Sequence, residues 1–282
     1  MSLTSDLKSP NSPVGAWARK RFGHAKRLYP QLTAAAKPVL VRPAGWGDGR
    51  DQRWSWSGMA CDTMLRWKLG ATQPASAVQA GGRMLVGDLD STDLGYLLRE
   101  APVPDETAAA ARMSVLWALA EQHARYGLTE NPLTSVAAES TDRLLAAVPD
   151  DVVADVVAVI DGPGAGLVDE LARLGPVEVG LAFRYPGGAD LDLLIGTTLV
   201  EVKTTVSRPG LTDVLQALGY ALLAEPGRID ELLWVFPRSG KSLWLPVADV
   251  IERIADDPDA TSALLRTELR DVAGIDRARP IM

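Results

Sequence analysis

Apolar positions recur along this chain with two periods, and the change between them divides it. Between about residues 14 and 175 the predicted elements are helices. Residues 14–36 predict a helix bounded by Pro13 and Pro38. A Gly/Pro/Arg-rich loop follows over 38–53, around Gly45, Gly47 and Gly49. Ser57 to Leu69 predicts a second helix, with Met59, Ala60, Met64, Leu65 and Trp67 largely apolar. Residues 106–127 hold a period near 3.6 through Ala108, Ala111, Val115, Leu116, Leu119 and Ala120. Ser135 to Val148 predicts a further helix. Asp151 to Ile160 places Val152, Val153, Val156, Val157 and Ile160 on one helical face, though its β-branched content also suits a strand. Leu167 to Leu174 is a short helix or a continuation of that one.

After Pro176 the period becomes two. Val177 to Tyr185, Ala189 to Ile195 and Thr198 to Val206 predict a β-meander, turned by Pro186-Gly187-Gly188 and by Gly196-Thr197. Leu211 to Ala224 then predicts a helix, ended by Pro226 and Gly227. Glu231 to Pro237 and Ser242 to Pro246 predict two more strands, and Val247 to Ile254 and Thr261 to Val272 two closing helices. Residues 1–13, rich in Ser and Pro, predict disorder. The expected class is α/β, a mixed sheet with a helical N-terminal region. The expected divisions are a basic, partly disordered arm over 1–55, a helical region over 56–149, and a sheet-bearing core over 150–282.

Two scarce residue types narrow the chemistry. The 282 residues include one Cys, Cys61, and two His, His24 and His123. An internal disulfide, a Cys-liganded zinc site and an iron–sulfur cluster are excluded. Metal chemistry here would have to rest on carboxylates, which suit hard ions such as Mg²⁺, Mn²⁺ or Ca²⁺. Cys61, in an apolar helix, reads as a core residue rather than a nucleophile. The longest apolar runs are short and interrupted by acids, and the N-terminus lacks an apolar signal core. No membrane span and a cytoplasmic location are the expectations.

The net charge of −7 conceals an asymmetry. Residues 1–70 carry a net charge of +8 and the remainder −15. The basic head interleaves Arg19, Lys20, Arg21, Lys26, Arg27, Lys37, Arg42, Arg50 and Arg53 with Trp17, Tyr29, Trp46, Trp54 and Trp56. Cations track phosphates and aromatic faces stack on bases, so Arg19, Lys20 and Arg21 are candidate nucleic-acid contacts. The alternative is a solvated helix followed by a loop whose Trp residues pack on the core.

The chemistry concentrates in residues 187–205. Side chains on a strand alternate faces, so Asp190 and Asp192 share one, with Leu191 and Leu193 opposite. On the next strand Glu201 and Lys203 share a face, opposite Val200 and Val202. The Gly196-Thr197 turn makes these strands antiparallel neighbours and lets Asp192 lie across from the region of Glu201. Charges converging on an otherwise apolar sheet are costly unless paired or bound to an ion. A divalent cation between two carboxylates, beside a lysine, supplies what metal-assisted phosphodiester hydrolysis requires. The plain alternative is a Glu–Lys pair on a solvent-facing sheet. On the next helix Gln216 and Tyr220 stand i,i+4, neighbours on one face.

Asp192, then Glu201-Val202-Lys203, then Gln216-x-x-x-Tyr220 resembles the PD-(D/E)xK nuclease superfamily, most closely its RecB-like and lambda-exonuclease-like branch. The likeness spans roughly residues 150–247. It implies a restriction-endonuclease-like core of helix, three-stranded meander, helix and strand. It implies Asp192, Glu201 and the Val202 carbonyl as ligands of Mg²⁺ or Mn²⁺, Lys203 as the residue that orients or activates the attacking water, and Gln216 and Tyr220 as branch-specific site residues. Some members add an acid or a His from an upstream helix. Asp169, Glu170 and His123 are the positions open to that role, with Asp190 a further acid. The expected function is metal-dependent hydrolysis of DNA leaving a 5′-phosphate, with exo- or endonuclease action undecided. A protein partner or a homo-oligomer is also expected as an option. The alternatives are a catalytically silent nucleic-acid-binding or assembly module of the same fold, and an RNA-directed nuclease.

Overall fold

A computed structural model describes residues 3–23, 43, 46, 51–127, 130–178, 193–204 and 209–275. Contacts group the chain into two units. One comprises Met1–Pro38, Arg173–Phe236 and Lys241–Met282; the other comprises Val39–Ala172 and Pro237–Gly240. These boundaries differ from the expected divisions at 55 and 149. Residues 1–38 group with the sheet, and four residues between two strands group with the helices. The class is mixed α/β, with twelve α-helices and a five-stranded sheet among the described residues.

The sheet-bearing unit has strands β1 (Val177–Glu178), β2 (Leu193–Ile195), β3 (Thr198–Val202), β4 (Glu231–Phe236) and β5 (Lys241–Pro246), ordered as in sequence. β1, β2 and β3 form the antiparallel meander. β4 runs parallel to β3, and β5 antiparallel to β4. A parallel neighbour requires a crossover. Helix α10 (Leu211–Leu223) supplies it between β3 and β4. Gly196 takes φ of 59° at the first position of the two-residue β2–β3 turn, where glycine avoids the steric cost of positive φ.

One sheet face presents Leu194, Leu199, Leu232, Trp234, Phe236 and Leu245. It packs on Val214, Ala217, Leu218, Ala221 and Leu222 of α10, and helices α11 (Val247–Ile254) and α12 (Ser262–Val272) complete the same core. The same core takes in two N-terminal helices, α1 (Leu3–Lys8) and α2 (Pro13–Arg21). For residues 3–13 this corrects the expectation of disorder over 1–13. Leu3 is fully buried, and the bare backbone of Gly219 in α10 leaves room for it. Ser12 caps α2, its hydroxyl accepting from the Gly15 amide at 2.8 Å, with Pro13 in the first turn. Within the expected 14–36 helix, α2 ends at Arg21. The chain there is tied to residue 256: the Asp256 amide donates to the Arg21 carbonyl at 2.9 Å and the Gly23 amide to the Asp256 carboxylate at 3.0 Å.

The helical unit contains α3 (Gln52–Lys68), α4 (Ser76–Val86), α5 (Asp93–Arg99), α6 (Thr107–Tyr126), α7 (Thr141–Ala146), α8 (Asp150–Asp161) and α9 (Ala165–Ala172). α6 is its centre, packed against α3, α4, α7 and α8. α4 and α5 occupy a stretch for which the periodicity predicts no element. α4 approaches α6 so closely that a Cβ on Gly81 would lie 1.7 Å from the Ala120 carbonyl oxygen. Residues 151–160 are helical: α8 buries Val152, Val153, Val156, Val159 and Ile160. The expected 135–148 helix is shorter: a 3₁₀ turn (Pro132–Ser135) ends where it was to begin, and α7 starts after Ser140, a residue favoured at helix starts. Cys61 is fully buried, and burial pushes its thiol up to about 12. That environment suits a core residue and not a nucleophile.

Candidate active site

The site is built on the last residues of β3 and the first turns of α10. β2 and β3 pair with Leu193 opposite Val200, Leu194 opposite Leu199 and Ile195 opposite Thr198. This is the register that the expected juxtaposition of Asp192 and Glu201 requires. Asp190 and Asp192 themselves lie outside the described residues. Glu201 stands beside Trp234 of β4 in the parallel ladder, and the Lys203 amide donates to the Val235 carbonyl at 2.9 Å.

Glu201 is only 2% exposed. A carboxylate this deep is expensive without a compensating charge. Lys203, two residues on and on the same side of the strand, provides one: its Nζ lies 2.9 Å from Glu201 Oε2. The ammonium is partly solvated, with 21% of the side chain exposed. It also meets Asp213 of α10, whose Oδ1 lies 3.6 Å away. The other Asp213 oxygen accepts the Gly210 amide at 2.7 Å, closing the first turn of α10. One stripe of α10 thus carries Asp213, Gln216 and Tyr220. Gln216 Nε2 donates to Tyr220 Oη at 2.9 Å, and Tyr220 is buried.

Of the sequence-predicted residues, Glu201 and Lys203 are in direct contact, as are Gln216 and Tyr220. Val202 is half-buried between Glu201 and Lys203 on β3. Asp169 and Glu170 lie on α9 and His123 in the last turn of α6, all in the helical unit. Asp213 was not singled out by motif. Its signal was nevertheless present, three residues before Gln216 on the same helical face and in the first turn, where an acid suits the helix dipole.

No family model matches the chain. Neither does any curated protein or solved structure.

Two of the candidate nucleic-acid contacts, Arg19 and Arg21, have intramolecular partners. Arg21 is bound through Nε and Nη2 to Glu268 of α12, the Nε contact at 2.7 Å, and stands 3.4 Å from Asp257. These acids hold its guanidinium above its usual range, the Glu268 hydrogen bond foremost. Trp17 Nε1 donates to the same Glu268 at 3.1 Å, and its ring is buried. Arg19 donates to the Pro10 carbonyl. Lys20 is exposed, on a groove of about 540 Å³ whose other wall carries Glu268 and Asp271. In the helical unit, Arg53 pairs with Asp51 and Asp151, and Trp54 stacks on Arg238. Trp56 is buried and donates to Gln122.

The donor chemistry on β3 fits a hard divalent ion, since a carboxylate and a backbone carbonyl are both oxygen ligands. Among the described residues, no group of three or more His, Cys, Asp and Glu side chains is placed to hold a metal. No helix among them is long and apolar enough to cross a membrane.

Proposed function

We propose that this chain is a metal-dependent nuclease that hydrolyses DNA phosphodiester bonds on a restriction-endonuclease-like core. The observation that carries the reading is the Glu201–Lys203 pair, 2.9 Å apart, at the end of a strand whose next element is the Gln216–Tyr220 helix. The meander, then a helix, then a further strand follow in the order that the resemblance implies, and this supports the reading. Buried Glu201 and partly solvated Lys203 give the pair one anchored and one accessible end.

In this reading Asp192, Glu201 and the Val202 carbonyl hold Mg²⁺ or Mn²⁺. A divalent ion held there would supply positive charge to the scissile phosphate and lower the pKa of a bound water. Lys203 orients the attacking water and balances negative charge as it develops on the phosphoryl oxygens. Gln216 and Tyr220 hold each other and present an amide and a phenol beside the pair. Arg19 and Lys20 are the exposed cations of the candidate trio, and DNA held at Lys20 would be held weakly, because Glu268 and Asp271 face it. A cytoplasmic location accords with the buried, unpaired thiol of Cys61.

The silent-module alternative draws on the same pair, because Lys203 already compensates Glu201. A substrate panel separates the readings. Wild type should cut DNA with Mg²⁺ or Mn²⁺, bind Ca²⁺ without turnover, and lose cleavage in Asp192→Ala and Lys203→Ala. Cleavage that survives both changes excludes this site. Binding without cleavage under every metal favours the silent module, and preference for RNA favours the RNA-directed alternative.

A further inference from the structure

Lys203 puts a long side chain just past the last residue of β3, its amide still bonded to the Val235 carbonyl at 2.9 Å and 21% of its side chain exposed. Two carboxylates flank its ammonium. Glu201 holds it from within β3, but Glu201 is also the residue that the proposed chemistry commits to another cation. A lysine restrained only by Glu201 would lose its guide when that carboxylate is engaged. Asp213 stands on a separate element, and its own geometry is set independently. It occupies the third position of α10, and its Oδ2 is fixed by the Gly210 amide at 2.7 Å. That bond turns Oδ1 toward Lys203 Nζ, 3.6 Å away. A site held by side chains locked to rigid elements keeps its aim better than one held by a single flexible pair.

We propose that Asp213 is a positioning residue for Lys203: the first turn of α10 carries the carboxylate that aims the ammonium at the reacting phosphate. The inference rests on the nuclease reading. It adds a fourth charged member to Asp192, Glu201 and Lys203, and it gives α10 a role beyond Gln216 and Tyr220. It also separates two jobs in one side chain. Oδ2 caps the helix, and Oδ1 steers the lysine.

The two jobs can be tested apart. Asp213→Asn retains an oxygen for the Gly210 amide but removes the charge that faces Lys203, whereas Asp213→Ala removes both. The intact chain is compared as wild type, Asp213→Asn, Asp213→Ala, Lys203→Met and the Asp213→Asn/Lys203→Met double variant. Urea unfolding supplies a double-mutant cycle, and Mg²⁺-dependent cleavage of duplex DNA supplies kcat and KM. A coupling of about threefold in the unfolding equilibrium is expected between positions 213 and 203. Asp213→Asn should lower kcat by about tenfold with KM unchanged, the pattern of a contact that matters in the transition state. Asp213→Glu, which restores a charge, should recover part of the loss. Zero coupling overturns the proposal, and so does a wild-type kcat in Asp213→Asn while Lys203→Met is inactive; either result leaves the nuclease reading standing. Absence of cleavage by wild type with both Mg²⁺ and Mn²⁺ overturns the nuclease reading and the role proposed for Asp213 with it.

Discussion

Asp155 and Arg238 form the most deeply buried ion pair among the described residues, and their removal gives a sharp test of how the helical unit is held together. Arg238 is 1% exposed and Asp155 5%. Arg238 Nη1 donates to Asp155 Oδ1 at 2.8 Å, and Nη2 to the second oxygen. Ser57 closes the network, its hydroxyl donating to Asp155 Oδ2 at 2.5 Å and accepting from Arg238 Nη2 at 2.9 Å. The Trp54 ring lies 5.0 Å from the guanidinium carbon. Asp155→Ala would leave a guanidinium without its carboxylate in a dry interior, and removing one partner of such a pair costs about 3–5 kcal/mol. The pair itself adds far less, because both charges have been stripped of water. Replacing both residues with apolar ones, as in Asp155→Leu/Arg238→Met, should therefore recover stability to within about 1–2 kcal/mol of wild type. Urea unfolding followed by tryptophan fluorescence measures both. A loss below about 1 kcal/mol for Asp155→Ala, the level of an exposed pair, would refute the reasoning.

Two further predictions concern packing and pH. In an open helix Gly81→Ala would stabilise by about 1 kcal/mol through helix propensity. Against the Ala120 carbonyl at 1.7 Å it should instead destabilise by about 2 kcal/mol, and a rise in melting temperature would show that α4 and α6 are not in that contact. Glu268, hydrogen-bonded first by Arg21 and then by Trp17, is held below the ordinary carboxyl value of 4.5. A depressed carboxyl contributes stability above its unfolded value, and that stability is lost as pH falls through the folded one. The stability gap between wild type and Glu268→Gln should be widest near neutral pH and close in acid; a gap independent of pH would contradict the pairing.

How much of this was legible in the sequence follows from the range of each interaction. The period of two around Glu201 and Lys203 and the i,i+4 spacing of Gln216 and Tyr220 are local, and both pairs meet in the structure. The β2–β3 register follows from a two-residue turn. α1 was not legible, because a six-residue segment has too short a pattern and takes its fixed place from Gly219, more than two hundred residues on. Nothing local marks Asp155 as a buried acid, since its partner Arg238 is 83 residues away. The basic head was legible as composition but not as surface. Its positive charge looked available to phosphates, whereas Arg21 faces two acids from the far end of the chain.

The proposed nuclease activity depends on Glu201 and Lys203 acting with a divalent ion. The direct measurement is the cleavage rate of a linear duplex with Mg²⁺ for wild type, Glu201→Gln and Lys203→Met, each with folding verified by its unfolding curve. Wild type should cut, and each variant should be slower by about a hundredfold or more while still folded. Folded variants that cut at the wild-type rate would rule out Glu201 and Lys203 as the residues of the proposed site.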